Sequence, residues 1–414
     1  MSSLQPVRGT HDLLPDDQRR QSHVTDTAKH VSGLYAFDEI TTPIFEFTDV
    51  FSRTLGDTSD VVTKEMYTFE DKGGDRITLR PENTASVMRA YLSNGLQQNL
   101  PCRFFYRGPM FRYERPQKGR QRQFHQFGAE LIGIADPLGD VEVISVGSHI
   151  LEALGVRGRT KLEINSLGDT ESRDAYRTTL VEYFSRYENS LSADSRERLV
   201  KNPLRILDSK DDGDRKIIAD APSMADSLNT DSRVFFDTVL NRLAQIGIDY
   251  ELNSRLVRGL DYYCHTAFEF TTTELGSQGA VMAGGRYDGL IEQMGGPATP
   301  GVGWAAGVER LSMMIDEPDA GLKPVSLVPL GDAAFEMSFK LAHQLRHAGF
   351  SVDFGVSGNM KKRMKRANRV GAVAALMLGD DELARDGVTV RDMETGEQTE
   401  VSFSALEDHL ARYR

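Results

Sequence analysis

Cysteine is nearly absent from this chain. Only Cys102 and Cys264 occur in 414 residues, too few for a disulfide framework and without any C-x-x-C pair. No apolar run is long enough to span a membrane. The opening "MSSLQPVRGTHDLLPDDQRR" lacks the apolar core of a signal peptide, so a soluble cytoplasmic protein is expected. No Gly-Lys dipeptide exists, which excludes a P-loop. "GVGWAA" (301–306) formally fits a G-x-G-x-x-A fingerprint, but it follows "GGPATP" rather than an apolar strand and is not read as a dinucleotide site. "HQLRH" sets His343 and His347 one helical turn apart with no third ligand, so a solvent-facing pair is expected and no metal site. Positive charge is also in deficit. With 49 Lys+Arg against 61 Asp+Glu, the net charge is −12, which argues against indiscriminate nucleic-acid binding.

What is present is ordinary globular composition, 39% hydrophobic and 27% charged, in a chain long enough for two or three domains. Two local clusters run against the acidic balance. Residues 103–122, "RFFYRGPMFRYERPQKGRQR", hold seven Lys/Arg and the single acid Glu114. Residues 361–369, "KKRMKRANR", hold six Lys/Arg and no acid. Each alone is an ordinary solvated face; two in an acidic protein point to a polyanionic partner.

Along the chain, "MYTFED" and "RITLRPE" read as paired strands around "KGGD", and "TASVMRAYLSN" as a helix. "CRFFYRGPMFRYE" and "RQFHQFGAELIGI" are long strands flanking the polar loop "RPQKGRQ". "DVEVISVGSHILEALG" has helical spacing and ends at Gly155; "TKLEINS" returns as a strand. Residues 170–253 turn helical and are read as an insertion. Strands resume at "AFEFTT", "AVMAGGRY" and "GVGWAAG", the last leading into a helix at "VERLSMMI". After the linker "DEPDAGLKP" (316–324), residues 325–414 read as a βαβαβββ domain with a closing helix. The expected domains are therefore 1–324, containing the insertion, and 325–414.

The chemistry lies in a constellation of arginines. "RLVRGLDYYCHTAFEF" (255–270) sets Arg258 and Gly259 before a Tyr-Tyr pair at the mouth of an alternating strand. Ordering two phenols and a guanidinium there suits one wall of a polar pocket. "FRYER" (111–115) is expected to end a strand with Arg112 and Glu114 on one face and Arg115 on the other. "RPENT" (80–84) offers Glu82 and Thr84, and "GVER" (307–310) opens a helix with Glu309 and Arg310. Arginines ordered on a sheet suit phosphate oxygens, which accept bidentate, charge-assisted bonds. Singly, each is equally a structural ion pair. The residues by themselves reach a phosphate-handling enzyme with a polyanion partner.

Taken in order, the motifs resemble those of class II aminoacyl-tRNA synthetases. "FDEITTPIFE", with Pro43, resembles the dimer-forming first motif, "FRYERPQKGRQRQFHQFGAE" the second and "GVGWAAGVERL" the third. "RGLDYY", "GGRYDGL" and "PVRGTHDLLP" resemble the histidyl-tRNA synthetase family within that class. The resemblance covers nearly the whole chain. It implies an α+β fold, a mostly antiparallel sheet flanked by helices, with the helical insertion and a C-terminal α/β anticodon-binding domain.

It also implies roles. Arg112 would hold the α-phosphate of ATP and Arg310 the γ-phosphate, with Arg120 nearby. Phe124 would stack on adenine, and Glu114 would hydrogen-bond it. Glu82, Thr84 and Gln126 would take the α-amino group of L-histidine. Glu130 and Tyr263 would meet the imidazole nitrogens, with Tyr262 and Tyr287 close by. Arg258 would sit against the α-phosphate and the substrate carboxylate, where most class II enzymes use a metal ion; magnesium would arrive with ATP. Arg115, Gln117 and Lys118 of the loop would meet the acceptor end of tRNA(His), where the loop of most bacterial members of the family meets an extra 5′ guanosine. Lys361, Lys362 and Arg363 would grip its anticodon stem. A homodimer is implied by the first motif. Two relatives of this fold compete: a non-catalytic regulatory subunit of ATP phosphoribosyltransferase, and an uncharged-tRNA sensor module fused to a kinase. The regulatory subunits typically lose the arginine of "RGLDYY" and lack the anticodon domain, whereas Arg258 and residues 325–414 are present here. No kinase segment is present for the second.

Overall fold

The computed structural model describes residues 4–56, 59, 61–117, 119–257, 260, 262–276 and 279–413. The chain divides into two compact units, Met1–Pro318 and Asp319–Arg414. In the first, the strands are β1 (Asp38–Glu39), β2 (Phe45–Phe47), β3 (Tyr67–Glu70), β4 (Arg76–Leu79), β5 (Cys102–Phe111), β6 (Gln123–Ile132), β7 (Lys161–Ser166), β8 (Glu251–Leu252), β9 (Cys264–Thr271), β10 (Ala280–Arg286) and β11 (Gly301–Gly307). Eight of them form one sheet in the order β1-β5-β6-β11-β10-β9-β7-β8. Only the outermost pairs, β1–β5 and β7–β8, are parallel. The sheet is antiparallel across its whole centre.

The period of two along these strands separates a structural face from a functional one. On β6, Phe127, Ala129 and Leu131 join one large core with Trp304 and Ala306 of β11 and Phe268 and Phe270 of β9. That core is roofed by Leu138–Ala153, whose buried residues include Val143, Ile144, Val146, Ile150 and Leu151. Gly147 lets this helix approach the sheet, because a Cβ there would meet the Met282 sulfur. The intervening residues Phe124, Gln126, Gly128 and Glu130 lie on the opposite face, where Phe124 and Gln126 line the cavity described below.

Part of residues 170–253 has its own core: Tyr176, Leu180, Phe184, Leu191, Leu199, Ile206, Leu207, Ile218 and Met224. Its helices start on side-chain caps: Asp169 accepts from the Ser172 amide, Ser192 from Ser195, and Asp211 from Gly213 and Asp214. Each cap contributes about 1 kcal/mol. The last helix of the segment, Thr230–Gln245, behaves differently. Its Val239 and Leu243 join the core of the large sheet.

The hairpin expected around "KGGD" forms as β3–β4, and β2 adds on the other side of β4. Two local expectations change. β5 ends at Phe111, where its pairing with Gln123 stops, so Arg112 to Arg115 are not strand residues and the alternation expected for them does not apply. The physical reason is a change of partners: the Arg112 amide still donates to Arg122 O in register, but the Arg122 amide donates to Gly9 O and the Tyr113 amide to Glu65 O, which turns the chain off the sheet. The Tyr262–Tyr263 pair likewise precedes β9 rather than opening it.

The second unit contains β12 (Val325–Pro329), β13 (Val352–Phe354), β14 (Ala374–Leu378), β15 (Gly387–Asp392) and β16 (Gln398–Ser402), ordered β13-β12-β14-β15-β16. β12 is parallel to both neighbours, with crossovers through helices Asp332–His347 and Met360–Arg369. β14 reads "AALML" and is buried throughout, as a strand covered on both faces must be. A short helix, Asp380–Ala384, stands between β14 and β15, an addition to the expected order. Among the described residues no helix is long and apolar enough to cross a membrane.

Candidate active site

On the open face of the large sheet lies a cavity of about 280 Å³. Its wall includes Glu82, Thr84, Arg112, Glu114, Arg120, Phe124, Gln126, Tyr262, Tyr263 and Arg310. These ten candidates are scattered from 82 to 310 in the sequence and converge only in the folded chain. Arg258 and Lys118 lie outside the described residues.

One end of the cavity is built from carboxylates and phenols. Glu82 precedes helix Thr84–Ser93 and caps it: its two oxygens accept the amides of Thr84 at 2.7 Å and Ala85 at 2.9 Å. Burial raises its affinity for a proton, while those amides and the Arg112 charge oppose the rise. Thr84 bridges to the second carboxylate, its hydroxyl donating to Glu130 at 2.6 Å. The Tyr287 hydroxyl donates to the other Glu130 oxygen. Glu130 is fully buried. Desolvation lifts its pKa to about 8, helped by the charge of Glu82 and opposed by the two hydroxyl donors. Gly303 of β11 leaves room for this side chain, since a Cβ there would collide with the Glu130 carboxylate. Glu130 and Tyr287 thus lie behind the cavity lining rather than in it. Tyr262 and Tyr263 pack ring to ring at 4.5 Å, and Tyr262 meets Tyr287 edge-on. The Gln126 side-chain oxygen Oε1 is buried without a hydrogen-bond partner among the described residues.

The other end is cationic. Arg112 is tied by its Nε to Pro81 O at 2.8 Å and lies 5.5 Å from the Phe124 ring centre. Glu114 is 3.9 Å from Arg112 and 2.9 Å from Arg120. Arg120 reaches the cavity because the loop folds back as a tight turn, with Gln117 and Arg120 exchanging backbone hydrogen bonds. Gly119 takes the positive φ of 72° that this turn requires. Arg310, on the short helix Val308–Ser312, is made more acidic by burial and by the neighbouring Arg120. Two guanidiniums held close together in a cleft are poised for a polyanion. Arg115 and Gln117 are exposed on the outer part of the loop.

Sequence reasoning named Glu309 without giving it a role and passed over Glu269 and the small residues of β11. Glu309 lines the cavity and holds His125 through both its amide and its Nδ1 at 2.9 Å. Glu269 lines it beside Arg310. Ala305 and Gly307 of "GVGWAAG" line it; with Gly301 and Gly303 they are small residues at period two, a signal for a floor cleared under a ligand rather than a dinucleotide cradle.

In the second unit, the basic run forms helix Met360–Arg369, started by Asn359, which accepts the Lys362 amide at 3.1 Å. Lys361 and Lys362 are exposed. Arg363 is half-buried and donates to Pro329 O, and Arg366 forms a bidentate pair with Asp353 at 2.6–2.9 Å. Two of the six cations are thus engaged within the unit.

Comparison with known proteins bears on all of this. The family model described as histidyl-tRNA synthetase matches residues 9–170 and 186–311, and that of an anticodon binding domain matches 324–413. A histidine–tRNA ligase of Rhodospirillum rubrum is 62% identical over 414 residues, all of both chains. One from Gluconacetobacter diazotrophicus is 55% identical over 99% of each. Among solved structures, apo histidyl-tRNA synthetase of S. aureus superposes with a TM-score of 0.83 at 36% identity, covering 98% of this chain and 99% of that one. A Bacillus halodurans protein described as an ATP phosphoribosyltransferase regulatory subunit/histidyl-tRNA synthetase shares the fold at 21% identity and TM-score 0.66, covering 92% of this chain and 99% of that one.

Proposed function

Because the chain belongs to the histidyl-tRNA synthetase family, we infer that it is a histidine–tRNA ligase. It activates L-histidine with ATP, releases pyrophosphate and transfers the histidyl group to tRNA(His). The regulatory-subunit alternative is not favoured, given full-length identity to ligases of 62% and 55%. One observation carries the assignment of roles: a single cavity has a carboxylate-and-phenol end and an arginine end. The first suits an ammonium and an imidazole, the second a triphosphate.

In this reading Glu82, Thr84 and Gln126 take the α-amino group, and Glu130 with Tyr263 selects the imidazole, backed by Tyr262 and Tyr287. Arg112 holds the α-phosphate, Arg310 and Arg120 the outer phosphates, and Phe124 stacks on the adenine beside Glu114. Magnesium enters as part of the Mg·ATP substrate. The histidine carboxylate is already ionised, so its oxygen attacks the α-phosphorus without a general base. That P–O bond forms as the bond to the β-phosphate's bridging oxygen breaks, and pyrophosphate leaves. The demand on the protein is alignment and charge neutralisation, which fixed guanidiniums supply. Arg258 is assigned the α-phosphate and the substrate carboxylate. In the second step a terminal ribose hydroxyl of the tRNA attacks the carbonyl carbon and AMP departs.

For the tRNA, Arg115, Gln117 and Lys118 meet the acceptor end, and Lys361, Lys362 and Arg363 contact the anticodon stem. Arg363 contributes less than the two exposed lysines because Pro329 O already engages it. The working form is a cytoplasmic homodimer. Its support is an inverted pattern on β2, where Phe45 and Phe47 are 52% and 61% exposed while Glu46 between them is buried in an ion pair with Arg89. With Ile44 and Phe69, also exposed, these rings form an apolar face suited to a second copy. Histidine-dependent ATP–pyrophosphate exchange by the purified protein tests the function; exchange driven by another amino acid, or none, would overturn it.

A further inference from the structure

We propose that Arg80, which does not line the cavity, is the positioning residue that holds the amino-acid half of the site in register with the nucleotide half. This rests on the roles given above to Glu82, Thr84 and Arg112.

Arg80 is only 2% exposed, yet among the described residues its side-chain acceptors are all neutral oxygens. Nε donates to Pro109 O at 2.9 Å. Nη1 is shared among Thr42 O at 3.1 Å, Thr42 Oγ1 at 3.0 Å and Asn83 Oδ1 at 2.9 Å. Thr42 Oγ1 in turn donates to Asn83 Oδ1 at 2.8 Å. The backbone of Arg80 adds two more ties: its amide to Ile44 O at 2.9 Å, and its carbonyl from the Phe111 amide at 3.0 Å. One residue therefore fastens three segments together: the strand entry at 42–44, the 80–84 turn and the end of β5.

Those segments carry different substrates. The turn presents Glu82 and Thr84 to the amino group of histidine. Arg112, the first residue after β5, meets the α-phosphate and is itself tied back to the turn through Pro81 O. The sheet makes room for this arrangement: Gly108 of β5 has φ 156°, and a Cβ there would collide with Arg80 Nη2. A guanidinium buried on neutral acceptors carries a desolvation cost that an apolar side chain of the same volume would avoid. What only the guanidinium supplies is a rigid planar fork whose donors point in fixed directions. Lysine has one freely turning point charge in its place. The chemistry needs such a fixture, because the carboxylate oxygen must lie roughly 3–3.5 Å from the phosphorus, and a displacement of about 1 Å costs on the order of 10² in rate.

The test uses full-length Arg80→Lys and Thr42→Val with two readouts. Calorimetry gives Kd for histidine and for ATP separately, and a single-turnover experiment at saturating substrates gives the rate of adenylate formation. Arg80→Lys should keep each Kd within about threefold while the chemical step slows by roughly 10². Thr42→Val, which removes one acceptor, should slow it by about tenfold with Kd values again retained. A wild-type single-turnover rate in folded Arg80→Lys would overturn the proposal. So would weakened binding with an unchanged rate at saturation, the signature of a merely structural residue. If Arg80→Lys does not fold, Thr42→Val decides by the same criteria. A wild-type protein inert in histidine-dependent pyrophosphate exchange would instead bring down the underlying assignment.

Discussion

Replacing Glu130 by Gln should make the unliganded protein more stable and a worse enzyme, with a pH signature that separates the two effects. Glu130 is fully buried and its carboxyl pKa is raised from 4.5 to about 8, chiefly by desolvation. A displacement of that size corresponds to about 5 kcal/mol between protonation states, at roughly 1.4 kcal/mol per pH unit. The sign follows from proton binding. Between pH 4.5 and about 8 the folded chain keeps a proton on Glu130 that the unfolded chain releases, so stability falls as pH rises through that window. It is fully present below pH 4.5 and lost by about pH 8. Glutamine has nearly the same shape and does not ionise, and the Thr84 and Tyr287 hydroxyls can rotate to meet its amide. Urea unfolding of wild type and Glu130→Gln at pH 5, 7 and 9, without substrates, should therefore diverge. The variant gains on the wild type by a few kcal/mol, at most about 5, between the lowest and highest pH. Parallel curves would refute the reasoning, since they would mean that Glu130 is ionised at no cost in the folded protein. The same variant should bind histidine at least 10²-fold more weakly, because an amide cannot give up a proton to become the charged acceptor proposed for the ring N–H. Retained histidine affinity would show that Glu130 does not read the imidazole.

Arg258→Ala should still bind ATP yet lose about 10²–10³ in adenylation rate, the cost of removing one preorganised charge partner of a transition state; near-normal pyrophosphate exchange would remove Arg258 from the mechanism. Phe47→Asp should shift the protein from dimer to monomer in light scattering, by setting a charge in the proposed apolar interface; an unchanged dimer would place the second copy elsewhere. Deleting residues 325–414 should weaken tRNA charging while adenylate formation stays measurable, whereas Gln117→Ala should reduce discrimination against tRNA lacking an extra 5′ guanosine. Full charging by the truncated protein would mean that the C-terminal unit does not read the anticodon stem.

Local pattern carried far in this chain because alternation and short turns report secondary structure directly. The "KGGD" hairpin, the β5 and β6 strands around "RPQKGRQ" and the parallel start of the C-terminal unit follow from period and turn residues alone. The motif order was enough to name the family and to nominate Glu82, Arg112, Phe124 and Arg310. Short-range patterning could not show where a strand stops when its amides change partners, which is why Arg112 to Arg115 left the sheet. Nor could it assign Thr230–Gln245 to the core of the large sheet, because a helix's apolar face does not say which surface it will meet. Tertiary structure decided the rest. It put Glu130 and Tyr287 behind the cavity wall rather than in it, since depth from the surface depends on neighbouring strands distant in sequence. It also turned Arg80, one arginine among many in the chain, into a buried tie between three segments. A guanidinium's role depends on which oxygens surround it, and only the folded chain brings those oxygens together.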